Sequence, residues 1–133
     1  MISAISHITF IVKDLERSAS FFIKIFDAKE VYSSPTVKYL LINDLWIALN
    51  IGEPLPQRSY NHIAFKIYES DINSYLIKIK EAGAEIRPDR PTRKPGEGRS
   101  IYFYDYDNHL FELHTGTLSE RLDLSANLLS SDF

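Results

Sequence analysis

The sequence predicts an α+β fold of two pseudo-symmetric modules, each running strand, helix, strand, strand, strand. Three observations predict it. A histidine-led strand pattern occurs twice: His7, Ile8 and Phe10 are matched by His62, Ile63 and Phe65 at an offset of 55. Each copy is followed by a helical stretch with a shared motif, IKIF in the first and IKIK in the second. Further on, Tyr39, Leu45 and Leu49 fall opposite Tyr104, Leu110 and His114 at an offset of 65. A repeat of that length is a duplicated module and not a solenoid. Two such sheets facing each other would form a cleft lined by equivalent strands.

The elements follow in order. ISHITFIV (5–12) alternates loosely and is rich in β-branched residues, as a strand is. Asp14 stands where a helix N-cap belongs, ahead of LERSASFFIKIF, with Leu15, Ala19, Phe22 and Phe26 on one face. KEVYS, VKYLLI and LWIALN read as short strands, the last two joined by an Asn43-Asp44 turn. EPLPQR (53–58) carries two prolines and reads as a linker. NHIAFKI (61–67) restarts the pattern, and a helix is predicted over 70–82 with Gly83 at its C-terminal end. AEIRP is the next strand. PDRPTRKPGEGR (88–99) is a loop, and SIYFYD and HLFELHT pair across a DYDNH turn. The modules thus span 1–52 and 60–116 of one domain. A C-terminal helix and tail follow over 117–133, where Leu122, Leu124, Leu128 and Leu129 keep partly helical spacing.

Composition narrows the function. The 133 residues suit one domain, and 44% apolar residues supply a core. No run of apolar residues is long enough to cross a membrane. MISAISHITFIV lacks a basic start and is interrupted by Ser3, Ser6 and His7, so it reads as a first strand and not a signal peptide. Without cysteine there is no disulfide, thiolate metal site or cysteine nucleophile, which fits a cytoplasmic setting. A net charge of −3 with no basic stripe argues against nucleic acid as a partner.

The chemistry concentrates in three residues. His7 and His62 hold the same place in the first strand of each module, and Glu112 lies within the apolar LFEL of the last. Two imidazoles and one carboxylate suit a divalent metal with open coordination positions. A lone strand histidine is more often a hydrogen-bonded core residue. Occurrence at equivalent repeat positions favours ligation, as does the cost of burying an unpaired carboxylate. At the offset of 65, the counterpart of Glu112 is Ile47, which has no ligating atom. His109 follows a turn and is expected to cap or orient. His114 shares the strand face of Glu112 and is expected to support it, or to replace it as ligand. The PTRKPGEGRS loop brings Arg93, Lys94 and Arg99 with glycines suited to anion approach, and Arg121 follows in TLSERL. Basic residues in such a loop are usually just solvated. Tyr39, Trp46 and Tyr102 are pocket candidates, although strand aromatics are more often core.

SHITFIVKDL, RSYNHIAFKI, GEGRSIYFYD and DNHLFELHTGTLSERL resemble the fosfomycin resistance proteins of the vicinal oxygen chelate superfamily, over nearly the whole chain up to Leu122. The resemblance is nearest to the FosX-type branch, which opens the epoxide with water; the FosA and FosB branches add glutathione or a small thiol such as bacillithiol. It implies a homodimer with a Mn2+ site, or one for another divalent metal, from His7, His62 and Glu112, His7 coming from the other subunit. Thr9, Tyr39, Trp46, Ser100, Tyr102 and Arg121 match positions lining the substrate pocket.

The sequence also departs from the FosX type. In that branch a longer stretch between the second and third strands carries a glutamate that acts as general base; here SSPTVKYLL is shorter and Val37 takes its place. Asp44 is the substitute candidate, though turn acids are as a rule solvated. The GEGRS loop lacks the serine and asparagine that build the K+ site of the FosA branch, with Gly96 and Lys94 there instead, so Lys94 stands as a replacement for K+. The resemblance leaves water and thiol, glutathione included, both open as nucleophile. Two other readings are a superfamily metalloenzyme acting on another substrate, glyoxalase- or dioxygenase-like, and a non-catalytic drug-binding protein.

Overall fold

The computed structural model describes residues 1–88 and 98–123. The first module comprises β1 (His7–Val12), α1 (Leu15–Phe26), β2 (Lys29–Ser33), β3 (Val37–Ile42) and β4 (Leu45–Ile51). The second comprises β5 (His62–Lys66), α2 (Ile72–Glu81), β6 (Glu85–Arg87), β7 (Ser100–Tyr104) and β8 (Leu110–His114). Each module makes its own four-stranded sheet, in the orders β1-β4-β3-β2 and β5-β8-β7-β6. In both, the first strand lies parallel to the last and the other pairs are antiparallel. The α+β architecture of two equivalent modules is therefore present.

Local chemistry sets the ends of the helices. Asp14 accepts a hydrogen bond from the Arg17 backbone N–H at 3.0 Å and caps α1. Asp27, left-handed at φ 54°, ends it. A 3-10 turn over Glu69–Asp71 delays α2, which begins at Ile72 rather than at 70. Gly83, at φ 70°, turns the chain out of α2 as its position predicts.

The strand register corrects one expectation. Thr9 pairs with Ala48 in the first sheet as Ala64 pairs with Glu112 in the second. The counterpart of Glu112 is thus Ala48, not Ile47, and that of Tyr39 is Tyr102, not Tyr104. A slip of one residue reverses the face in a period-2 strand, and Ile47 is indeed fully buried in the core. Alanine, like isoleucine, has no ligating atom.

One core serves both modules. Phe10 of β1 lies 5.4 Å from Phe111 of β8, ring centre to ring centre, and Phe26 of α1 lies 5.0 Å from Phe65 of β5. The DYDNH turn fastens the modules further. Buried Asp107 accepts from the Lys13 backbone N–H at 3.0 Å, and His109, paired with Asp105 at 2.7 Å, packs edge-on against Phe10. By strand alternation, the residues on the other face of each sheet turn away from this core. They include His7 and Thr9 in β1, and His62 and Glu112 in the second sheet.

Candidate metal centre

His62 opens β5 and Glu112 lies on the neighbouring β8. Their side chains meet with His62 Nε2 2.9 Å from Glu112 Oε1. The other ring nitrogen, Nδ1, is 2.6 Å from the Tyr60 carbonyl oxygen. A carbonyl oxygen only accepts, so Nδ1 donates to it and Nε2 is the ring nitrogen turned to Glu112. Two electron-rich atoms that close require a positive charge between or upon them, either a proton or a metal ion. Ligands about 2.1 Å from one ion at a right angle sit about 3.0 Å apart. The spacing fits a divalent metal.

The surroundings are polar and specific. Ser100 Oγ lies 2.5 Å from Glu112 Oε2 and 2.7 Å from His114 Nδ1. The Tyr102 hydroxyl is 3.1 Å from that of Tyr60, and its ring packs edge-on against His62 at 5.4 Å. Burial, then the Tyr60 hydrogen bond and the Glu112 charge, hold the Tyr102 phenol well above the usual tyrosine range, so it stays protonated. Tyr60, His62, Tyr102, Glu112, His114 and Arg121 line a recess of about 370 Å³. A larger recess, about 680 Å³, opens at the start of α1 among Lys13, Arg17 and Asp107. Its buried carboxylate, Asp107, accepts from the Lys13 N–H and the Ser18 hydroxyl, and among the described residues no three potential ligands cluster there.

Comparison with known proteins gives the family. The Glyoxalase/Bleomycin resistance protein/Dioxygenase superfamily profile matches residues 4–113. The chain belongs to this superfamily. It is 53% identical to fosfomycin resistance protein FosX of Mesorhizobium japonicum, over 98% of this chain and 99% of that one. It is 40% identical to metallothiol transferase FosB of Shouchella clausii, over 92% of this chain and 86% of that one. Among solved structures, it resembles a mutant of FosX from Listeria monocytogenes complexed with Mn(II) and 1S,2S-dihydroxypropylphosphonic acid. There the TM-score is 0.87 and the identity 55%, over 92% of this chain and 97% of that one.

In this superfamily member, the candidate residues divide between the sheets. His62, Ser100, Tyr102, Glu112 and Arg121 gather at one recess on the second sheet. His7 is exposed on the first sheet, stacked on Trp46 at 4.2 Å with Ser6 Oγ 2.9 Å from its Nδ1. Within one chain, no three potential ligands cluster among the described residues. Thr9, Tyr39 and Trp46 share the face of His7, and Tyr39 lies 5.1 Å from Trp46, ring to ring. Val37 is on that face too, two residues before Tyr39. Asp44 lines a different recess, with Phe26, Asp27, Phe65 and Tyr75. Arg93 and Lys94 lie outside the described residues.

One residue, and the packing role of another, escape sequence reading. Tyr60 precedes β5, where strand periodicity gives no signal; only its place two residues before His62 marks it. Gly98, at φ 79°, serves close packing: a Cβ there would stand 2.6 Å from the backbone nitrogen of Gly116.

Proposed function

We propose that this chain is a Mn2+-dependent enzyme that inactivates fosfomycin by opening its epoxide ring. The observation that carries the reading is the His62 Nε2–Glu112 Oε1 pair, facing at 2.9 Å in a recess that also holds Tyr60, Tyr102 and Arg121. Relatives named for fosfomycin resistance over nearly the full chain support the substrate. His62 and Glu112 of one chain and His7 of a second copy would hold the metal, which supplies Lewis-acid stabilisation of the epoxide oxygen. His7 and Glu112 both lie on faces turned from the shared core, so a homodimer completes the site.

The side chains then have distinct work. Arg121 neutralises phosphonate oxygens, with Tyr60 and the protonated Tyr102 as hydroxyl donors. Arg93 and Lys94, outside the described residues, would add positive charge, Lys94 in the place of K+; a Lys94→Ala variant with unchanged activity and K+ response would remove that role. Thr9, Tyr39 and Trp46 from the second copy close the pocket around the ring.

The nucleophile is water or a thiol. On the face of the first sheet beside His7, the described residues Val37, Tyr39, Leu41, Trp46, Ala48 and Asn50 include no carboxylate to take a proton from water. A general base contributes about 10²–10⁴-fold. A thiol with pKa near 8.5 is a few per cent ionised at pH 7 without help (order of magnitude). Thiol addition is therefore expected to be the faster route.

The test follows fosfomycin by phosphorus NMR with purified Mn2+-loaded protein, in samples without thiol or with glutathione, cysteine or bacillithiol. A thiol adduct forming faster than diol is the expected result. Diol formed equally fast without thiol places hydrolysis first, with a base elsewhere. No turnover in any sample, with metal bound, overturns fosfomycin as substrate.

A further inference from the structure

We infer that Ser100 and His114 form a hydrogen-bonded clamp on the outer oxygen of Glu112, leaving Oε1 as the oxygen that faces His62 and would be offered to a metal. The inference rests on the proposed metal site and assigns Ser100 a positioning role rather than direct contact with substrate.

Proton counting carries the first step. An ionised carboxylate only accepts, so the Ser100 hydroxyl donates to Glu112 Oε2, 2.5 Å away. That uses its one proton. Ser100 Oγ then accepts from His114, whose Nδ1 is 2.7 Å away and must carry hydrogen. The same Nδ1 lies 3.2 Å from Oε2, so the histidine proton is shared between hydroxyl and carboxylate. Oε2 is held from two directions, while Oε1 faces His62.

The backbone fixes the clamp. Ser100 pairs with His114 across β7 and β8. Just before it, the Arg99 N–H donates to Thr115 Oγ1 at 2.8 Å and the Thr115 N–H donates to the Arg99 carbonyl at 3.0 Å. Gly98 lies against Gly116, and a Cβ on Gly98 would come within 3.3 Å of His114 Cε1. Glycine at 98 thus leaves room for both Gly116 and the imidazole.

Partners that orient a metal ligand typically change metal affinity by about 10–100-fold when removed. The test titrates the purified full chain with Mn2+ alone and reads the free-ion signal by electron paramagnetic resonance, with no substrate. Ser100→Ala and His114→Phe are each expected to raise the Mn2+ dissociation constant about 10-fold or more. Ser100→Thr, which keeps the hydroxyl, should restore affinity. So should His114→Asn, whose side-chain N–H falls near the place of Nδ1–H. The Ser100→Ala/His114→Phe double variant should lose less than the sum of the two single losses, because His114 holds Oε2 partly through the Ser100 hydroxyl. Unchanged affinity in both single variants, with metal-free melting temperatures at the wild-type value, would overturn the clamp. Losses that add in the double variant, or no recovery in either conservative variant, would overturn it as well. Glu112→Gln separates the two levels. If wild type binds no Mn2+, or Glu112→Gln binds as well as wild type, the metal reading itself fails. If Glu112 is required and the clamp residues are not, only the clamp fails.

Discussion

Val37 is the residue on which the choice of nucleophile is proposed to turn. It opens β3 with Asn50 as its cross-strand partner, on the face that carries Tyr39 and His7. A glutamate there would extend a carboxylate over the same face. Val37→Glu is expected to raise thiol-free diol formation about 10²-fold, the lower end of what a positioned base contributes. Phosphorus NMR at pH 7 measures it, and no gain would place the base elsewhere. At this scale much was legible. His7 and His62 could be matched because each heads the first strand of its module, and period 2 alone put His114 beside Glu112. The pairing of Glu112 with Ile47 failed by one residue, because equal spacing was assumed along last strands whose true offset is set by hydrogen-bond register. Tyr60 stayed hidden because it precedes its strand.

Among the elements, β3 holds a feature that its sequence does not announce. VKYLLI reads as an ordinary strand, yet Lys38 is buried on its core-facing side, 3% exposed. Its ammonium reaches Glu30 Oε1 at 2.8 Å, Glu16 Oε1 at 3.0 Å and Ser33 Oγ at 2.9 Å. All three of its protons are thus used, and β3 is tied to α1 and β2. Strand pattern gave no hint, because the two carboxylates come from separate elements. The hydrogen bonds from Glu30 and then Glu16 hold the Lys38 pKa above its ordinary value. The folded state therefore binds this proton more tightly than the unfolded chain. The stabilisation is fully present below the unfolded pKa, about 10.4, and is lost as pH rises through the higher folded value. Glu30→Ala is expected to cost about 1 kcal/mol at pH 7, since Glu30 is partly exposed and its pairing partly screened. Wild type should lose melting temperature above about pH 10 more steeply than Lys38→Met. Thermal melts of both proteins from pH 7 to 12 measure the difference, and parallel curves would remove Lys38 from the account.

At the scale of the whole molecule, the duplication explains why one chain is not enough. Both sheets turn their apolar faces into one core, with Phe10, Phe26, Phe65 and Phe111 in contact across it. That shared core sends the His7 face and the Glu112 face outward. The repeat made both histidines legible in the sequence, but the topology decides that they do not meet within a chain. The proposed two-fold dimer would resolve this by pairing His7 of each copy with His62 and Glu112 of the other. The arrangement has a consequence that no single-chain site shares. His7→Ala and Glu112→Ala should each be inactive. After subunit exchange between them, every heterodimer has one intact site, with His7 from the Glu112→Ala chain and the other two ligands from the His7→Ala chain. Random exchange makes half the dimers mixed, so about one quarter of the wild-type sites should return, in both Mn2+ bound and epoxide opened. Native mass spectrometry would verify the heterodimers. If they form and neither metal binding nor turnover returns, His7 does not serve the site of a second copy.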